Sequence, residues 1–374
     1  MSEERPNPAA IMQLATGYWN SATLLAANEM NLFGILADAP LSAAQVSERL
    51  QTPLRSTQML LDACVGLMLL QKTADVAEAP VLEKHSKEQQ KSLVEPEKSE
   101  EQAVPETAAS SACKYANAPA AAAFLVPGRP GYLGDAIRWG ADQYAAWGEL
   151  TRSVRENAPA VAPTLHLGDD PAQTRRFVLG MHNRALGIAR GVMHFLPFDG
   201  VTHLLDVGGG PGTYAMLLAQ KYPMLQVTVL DLPGVVTVAQ ELIAHADLSH
   251  RVTTLAGSAL DTDYGMESRD GILFSGVLHQ MTPATIVHLF AKAYRALRPG
   301  GIIVISDVML DASKTQPVFA TLFSLQMLLT SEAGAVFSDE EGLTWLERAG
   351  FMERRSQTLP PPLPYKILTA RKPK

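Results

Sequence analysis

Between Val201 and Val308 short apolar runs alternate with helical stretches, and this alternation restricts the fold more than any other feature of the chain. The runs are HLLDV, QVTVLD, VTTLAG, GILFSGV and IIVISDV, and helical segments at Thr213–Lys221, Gly234–His245 and Pro283–Leu297 separate them. Strands joined by crossover helices pair in parallel, so the segment predicts an α/β domain with a mostly parallel sheet and helices on both faces. Such sheets bind ligands outside the carboxyl ends of their strands, which is where chemistry-bearing residues are expected.

The first strand runs into Asp206-Val-Gly-Gly-Gly-Pro-Gly-Thr213. Glycines at a strand-to-helix turn let the backbone close on a ligand, and the helix start behind them offers free N–H groups. No Lys-Ser/Thr pair follows, so this is not a P-loop, and the GxGxG spacing departs from the GxGxxG of dinucleotide sites. Asp206 precedes the glycines, and the second strand ends in Asp231, where a carboxylate can hold two ribose hydroxyls. A nucleoside with a small zwitterionic tail fits this pattern better than a pyrophosphate. His279 follows the strand GILFSGV at the same sheet edge, where a neutral imidazole can accept a proton at physiological pH.

Residues 9–76 read as helices: a long one over Ala9–Ala27, a short turn at Asn31–Leu36, then Ala43–Leu50 capped by Ser42 and Thr57–Leu70 capped by Ser56. The last two outline a helix-turn-helix. A helix that reads DNA needs Arg, Lys, Asn or Gln on its face and positive surroundings. From Leu41 to Asp75 the charges balance, Arg49, Arg55 and Lys72 against Glu48, Asp62 and Asp75, so a dimer interface is the better reading. Segment 77–114 is rich in Glu, Lys, Gln, Ser and Pro without apolar periodicity, which predicts a flexible insertion. Tyr132–Asn157 and Pro171–Phe195 then read as helices on either side of a linker punctuated by Pro159 and Pro163.

A length of 374 residues predicts two domains, and a formal charge of −7 argues against a nucleic-acid partner or a polybasic membrane anchor. Two cysteines, Cys64 and Cys113, provide neither a disulfide framework nor a four-ligand zinc site, and no metal is expected. The start MSEERPNPAA has no leader pattern and no apolar run reaches the ~18 residues of a spanning helix, so the expected location is the cytoplasm.

The run LLDVGGGPGTYAMLLAQKYPMLQVTVLDLPGV resembles the cofactor core of class I S-adenosylmethionine-dependent methyltransferases, specifically the small-molecule O-methyltransferase family with its acetylserotonin, hydroxyneurosporene and caffeic acid enzymes. FVLGM at Phe177–Met181, VLH at Val277–His279, RPGG and the closing ERAGF extend the resemblance over the chain outside 77–114. It implies a winged-helix-like dimerisation domain at 1–126 and a Rossmann-like methyltransferase domain at 127–374, with the cofactor core from about 199. The implied cofactor is S-adenosyl-L-methionine, with Gly208 and Gly210 around its methionine part, Asp206 near the amino group, Asp231 on the ribose and Leu232 on the adenine. Ser258 stands where the family often has an Asp. The resemblance implies His279 as general base, oriented by Asp307, and an acceptor pocket walled by Trp139, Met181, Met309, Phe323 and Met327, with Phe124 and Leu328 as further candidates. The family's second flanking acid falls on Val336, and Glu332 is a nearby replacement. The implied activity is O-methylation of a small aromatic or polyketide-like hydroxyl by a homodimer. C- or N-methylation, non-methylating chemistry on the same fold, and a ligand-sensing regulator are the alternatives.

Overall fold

The computed structural model describes residues 7–74, 113–161 and 170–374, without the side chains of Trp139 and Asp142. The chain divides into two units, Met1–Gly134 and Asp135–Lys374.

In the first unit, α1 (Ala9–Thr16) and α2 (Tyr18–Glu29) take the place of the single long helix expected there. The Gly17 N–H bonds to the Leu14 carbonyl, a three-residue step that interrupts the regular ladder. The short α3 (Leu32–Ile35) and β1 (Leu41–Ser42) lead into α4 (Ala43–Leu50), whose Ser42 and Gln45 form a reciprocal capping box. Helix α5 (Leu54–Gly66) starts earlier than its sequence suggests, directly behind Pro53. Ser56 is therefore inside the helix, and its hydroxyl donates to the Pro53 carbonyl instead of capping. The chain then turns through Met68, which has a positive φ of 59°, into β2 (Leu70–Ala74). Strand β3 (Cys113–Asn117) pairs antiparallel with both β2 and β1, giving the wing of a winged-helix unit, and α6 (Pro119–Phe124) follows. Leu70, Cys113 and Lys114 are thus strand residues, and the rest of the segment read as an insertion, 77–112, lies outside the described residues.

The second unit begins with α7 (Gly134–Gly148), α8 (Leu150–Glu156) and α9 (Pro171–Val192). Its sheet is built from β4 (His203–Val207), β5 (Gln226–Asp231), β6 (Val252–Ala256), β7 (Arg269–Ser275), β8 (Leu297–Asp307), β9 (Met352–Thr358) and β10 (Lys366–Arg371). The strand order is β6-β5-β4-β7-β8-β10-β9, parallel from β6 to β8 and antiparallel across β8, β10 and β9. The chain leaves β4 toward β5 on one side and returns to β7 on the other, so the carboxyl end of β4 is the point where the winding reverses. Successive residues of the central strands β4, β5, β7 and β8 bury on opposite faces. Leu204, Val227, Val229, Leu273 and Val304 pack with α9, α10 (Thr213–Lys221) and α11 (Pro233–His245). Leu205, Val207, Ile272, Phe274, Ile303 and Ile305 pack on the other face with α12 (Pro283–Ala296) and α14 (Asp339–Arg348). The alternation seen in the sequence as near-continuous apolar runs is the mark of strands buried on both faces.

A second capping box, Ser338 with Glu341, starts α14, and Ser338 is 2% exposed. Ser338→Ala is expected to lower stability by about 1 kcal/mol, within the ~0.5–2 kcal/mol range of N-cap losses, as read from the denaturant midpoint. Among the described residues no helix is long and apolar enough to cross a membrane.

Candidate active site

The glycine loop leaves β4 at the winding reversal and is strapped to the end of β5. Gly208 N–H donates to the Leu230 carbonyl at 2.8 Å, and Gly210 N–H donates to Asp231 Oδ2 at 2.8 Å. Asp231 Oδ1 accepts from Leu232 N–H at 2.7 Å, so each carboxylate oxygen holds one backbone donor and keeps a lone pair for a ligand hydroxyl. Burial pushes the Asp231 carboxyl above its ordinary value. Gly208, Gly210 and Gly212 all have positive φ, at 67°, 55° and 72°. A Cβ on Gly208 would lie 2.6 Å from Val277 Cγ2, so the loop presses against the residue that opens the His279 turn.

Asp206 lies beneath this loop, fully buried, and a Cβ on Gly209 would meet its Oδ2 at 2.6 Å. Neither of its carboxylate oxygens has a hydrogen-bond partner among the described residues. Burial first, and then the like charge of Asp231, push its carboxyl up to about 7. A buried, unpartnered carboxylate beneath a glycine cradle would be favoured by a cationic group bound nearby.

His279 lies in a short 3₁₀ turn, Leu278–Gln280, immediately beyond β7, and is 7% exposed. Its Nδ1 is 2.7 Å from Oδ1 of Asp307, which ends β8 and is fully buried. The same Oδ1 accepts from Val308 N–H at 2.8 Å, while Oδ2 has no partner among the described residues. With Nδ1–H donating to Asp307, the Nε2 lone pair is left to take a proton. Phe323, on α13 (Val318–Thr330), packs edge-to-face with the imidazole, with ring centroids 4.9 Å apart.

The structure brings His279, Asp307 and Phe323 together, with Met327 one helical turn beyond Phe323. Met309 is buried two residues past Asp307 and borders an apolar cavity of about 490 Å³ with Phe319, Leu359 and Tyr365. Met181, on α9, is half-buried beside His182, and Trp139 has its side chain outside the described residues. Phe124 is exposed in the first unit. Ser258 Oγ accepts from Leu260 N–H at 3.1 Å and so shapes the turn behind β6. Val336 is buried with Val308, Leu310 and Ala320, with Phe323 and Tyr365 against it, so the position of the second acid is apolar. Glu332 is exposed and makes no hydrogen bond or ion pair among the described residues, and no contact ties it to the imidazole.

Two features have no strong sequence signal. His182 Nδ1 lies 2.8 Å from Thr213 Oγ1 at the start of α10, and burial lowers its pKa, which keeps the ring neutral beside the glycine loop. Lys292 donates to the carbonyls of Ala259 and Leu260 at 2.8 and 2.6 Å and lies over the Tyr264 ring at 4.4 Å, pinning the loop that carries Ser258.

A winding reversal with a glycine cradle, two carboxylates behind it and an Asp-held imidazole at the same edge is the arrangement of a ligand-binding α/β domain. Comparison with known proteins narrows this class. Residues 132–352 match the profile of the O-methyltransferase domain and residues 12–84 that of the O-methyltransferase dimerisation domain. The chain is 30% identical over 354 residues to 3-hydroxy-5-methyl-1-naphthoate 3-O-methyltransferase of Streptomyces sahachiroi, covering 93% of this chain and 91% of that one. It is 27% identical to the tetracenomycin polyketide synthesis 8-O-methyl transferase of Streptomyces glaucescens, with 95% and 94% covered. In fold it is similar to human N-acetylserotonin methyltransferase, solved in complex with S-adenosylmethionine, with a TM-score of 0.82, 22% identity and complete coverage of both chains. The chain belongs to the O-methyltransferase family. It is therefore an S-adenosylmethionine-dependent methyltransferase, and the unpartnered Asp206 and the glycine cradle fit that cofactor.

Proposed function

We propose that this enzyme methylates a hydroxyl of a small aromatic or polyketide-like metabolite, with His279 as the general base. The buried His279–Asp307 pair at 2.7 Å, placed against the loop through Val277, is the observation that carries the reading. When bound, S-adenosylmethionine supplies an electrophilic methyl carbon. Gly208, Gly210 and Asp206 would hold its amino acid end, Asp231 its ribose, and Leu232 and Ser258 its adenine side. Asp307 fixes the imidazole so that Nε2 takes the acceptor's hydroxyl proton, and Phe323 excludes water from one side of the ring. Met181, Met309, Phe323 and Met327 would wall the acceptor. Positioning of acceptor against methyl supplies much of the rate.

The reading assigns 1–126 to dimerisation and 127–374 to catalysis, in a homodimer of the cytoplasm. Exposed Ile11, Leu14, Tyr18 and Trp19 on α1 and α2 give a second copy an apolar face to cover, in line with the dimerisation profile. A relative from Streptomyces rimosus, 28% identical, is named an N,N-dimethyltransferase, so nitrogen is the second candidate acceptor atom.

The test is calorimetric titration with S-adenosylmethionine and S-adenosylhomocysteine, followed by methylation of a phenol panel with the product's methylated atom assigned by NMR. Micromolar cofactor binding, at least tenfold weaker in Asp231→Ala, together with an O-methyl product is the expected result. Cofactor binding without methylation of any phenol would overturn the acceptor assignment.

A further inference from the structure

In the α13 sequence VFATLFSLQMLLT, Gln326 is a lone amide three residues past Phe323, hence on the face that meets His279. It is 9% exposed. Two residues four apart on α7, Gln143 and Trp147, face it. Trp147 Nε1–H donates to Gln326 Oε1 at 2.6 Å, and Gln326 Nε2 donates to Gln143 Oε1 at 2.7 Å. The indole can only donate, which fixes the orientation of both amides. Gln326 must turn its oxygen to Trp147 and its NH2 to Gln143, so Gln143 must turn its own NH2 away from the chain of bonds. That NH2 has no hydrogen-bond partner among the described residues, on a side chain that is 4% exposed. That donor is not sealed from the outside, so it is open to a bound molecule, and an oxygen that only accepts meets it best.

We infer that Gln143 is a specificity-determining residue, its NH2 receiving a carbonyl oxygen of the methyl acceptor. The acceptor class is then a phenol that also carries a ketone, quinone or amide carbonyl. This rests on the reading of the His279 site as the acceptor site. Trp147 acts through Gln326 and is a positioning residue.

The test measures binding of 2-naphthol and its 1-, 3- and 6-acetyl derivatives by calorimetry, with S-adenosylhomocysteine present, to the full chain and to Gln143→Leu, Gln143→Glu and Trp147→Phe. At least one acetyl derivative is expected to bind tenfold or more tighter than 2-naphthol to the wild type. In Gln143→Leu that ratio falls to within twofold, while affinity for S-adenosylhomocysteine is unchanged. Gln143→Glu keeps the oxygen that faces Gln326 and loses the outward NH2, so above pH 8 it reports on recognition even where the Leu variant misfolds. Trp147→Phe frees Gln326 to rotate and gives an intermediate ratio, which a purely structural tie between the helices would not produce. Equal binding of 2-naphthol and all three ketones by the wild type overturns the inference alone, as does a preference that survives both Gln143 variants. Failure of every naphthol to bind beside bound S-adenosylhomocysteine overturns it together with the acceptor reading.

Discussion

His279→Ala is expected to lower kcat for methyl transfer by roughly 10²–10⁴-fold while leaving the affinity for S-adenosylmethionine unchanged, because loss of a positioned general base costs a factor of this size. The separation follows from the geometry. His279 faces Asp307 and Phe323, whereas the backbone donors and carboxylates of the cofactor site come from β4, β5 and their loops. Asp307→Ala should give a smaller loss, since the imidazole remains but can rotate or adopt the tautomer with its proton on Nε2. Single-turnover methylation with both variants, alongside calorimetric cofactor affinity, checks this. A His279→Ala enzyme with wild-type kcat would show that a bound phenol loses its proton without the imidazole.

Cofactor affinity should fall about tenfold per unit as the pH drops below 7 and level off above it. Asp206 is raised to about 7 by burial and by Asp231, so below that pH the empty protein holds it as the neutral acid. A cationic ligand group favours the carboxylate, so binding at pH 6 must expel a proton, which calorimetry in buffers of different ionisation enthalpy detects. S-adenosylhomocysteine is the better probe, because it retains the ammonium without the reactive sulfonium. The folding equilibrium of the empty protein moves the opposite way to that of an ordinary salt-bridged Asp. The native carboxyl keeps its proton to about 7 while the unfolded one releases it near 3.8, so the native state binds more protons across that window. Stability is therefore fully present below the unfolded value and declines as pH rises toward 7, by an amount on the order of a few kcal/mol. Asp206→Asn should abolish both pH dependences, bind S-adenosylhomocysteine at least tenfold more weakly at pH 8, and leave the empty protein more stable there. An affinity that stays flat from pH 5.5 to 8 in the wild type would show that Asp206 is not the group that meets the ligand cation.

The parallel sheet and its glycine loop were legible because each rests on a local requirement. Doubly buried strands are mostly apolar, and glycine takes a positive φ without the strain a side chain brings. The position of His279 was legible, since it lies just past a strand at the carboxyl edge of the sheet. Strands β9 and β10 left no such mark: MERRSQT lies at the sheet edge with most of its residues exposed, so neither alternation nor an apolar run announces it. The wing was hidden because β2 finds its partner β3 across the long segment 75–112, a pairing that local periodicity does not encode. Ser56 misled because a serine that could cap sits three residues into a helix already started by Pro53. The amide chain of Gln143, Gln326 and Trp147 joins residues more than 170 positions apart, and Gln326 alone carried a hint, as the single amide in an apolar helix.

The contact between Gly208 and Val277 bears on how such an enzyme can change its substrate. It ties the glycine loop after β4 to the turn that carries His279, so on the proposed reading the spacing between cofactor and base would be set by the sheet. The groups inferred to read the rest of the acceptor hang on α7 and α13, which contribute no strand to that sheet. On that reading, residues there other than Phe323, which touches the imidazole, could be exchanged for a new acceptor without moving the loop against the turn. Any side chain added at Gly208 would instead put the whole machine out of calibration at once.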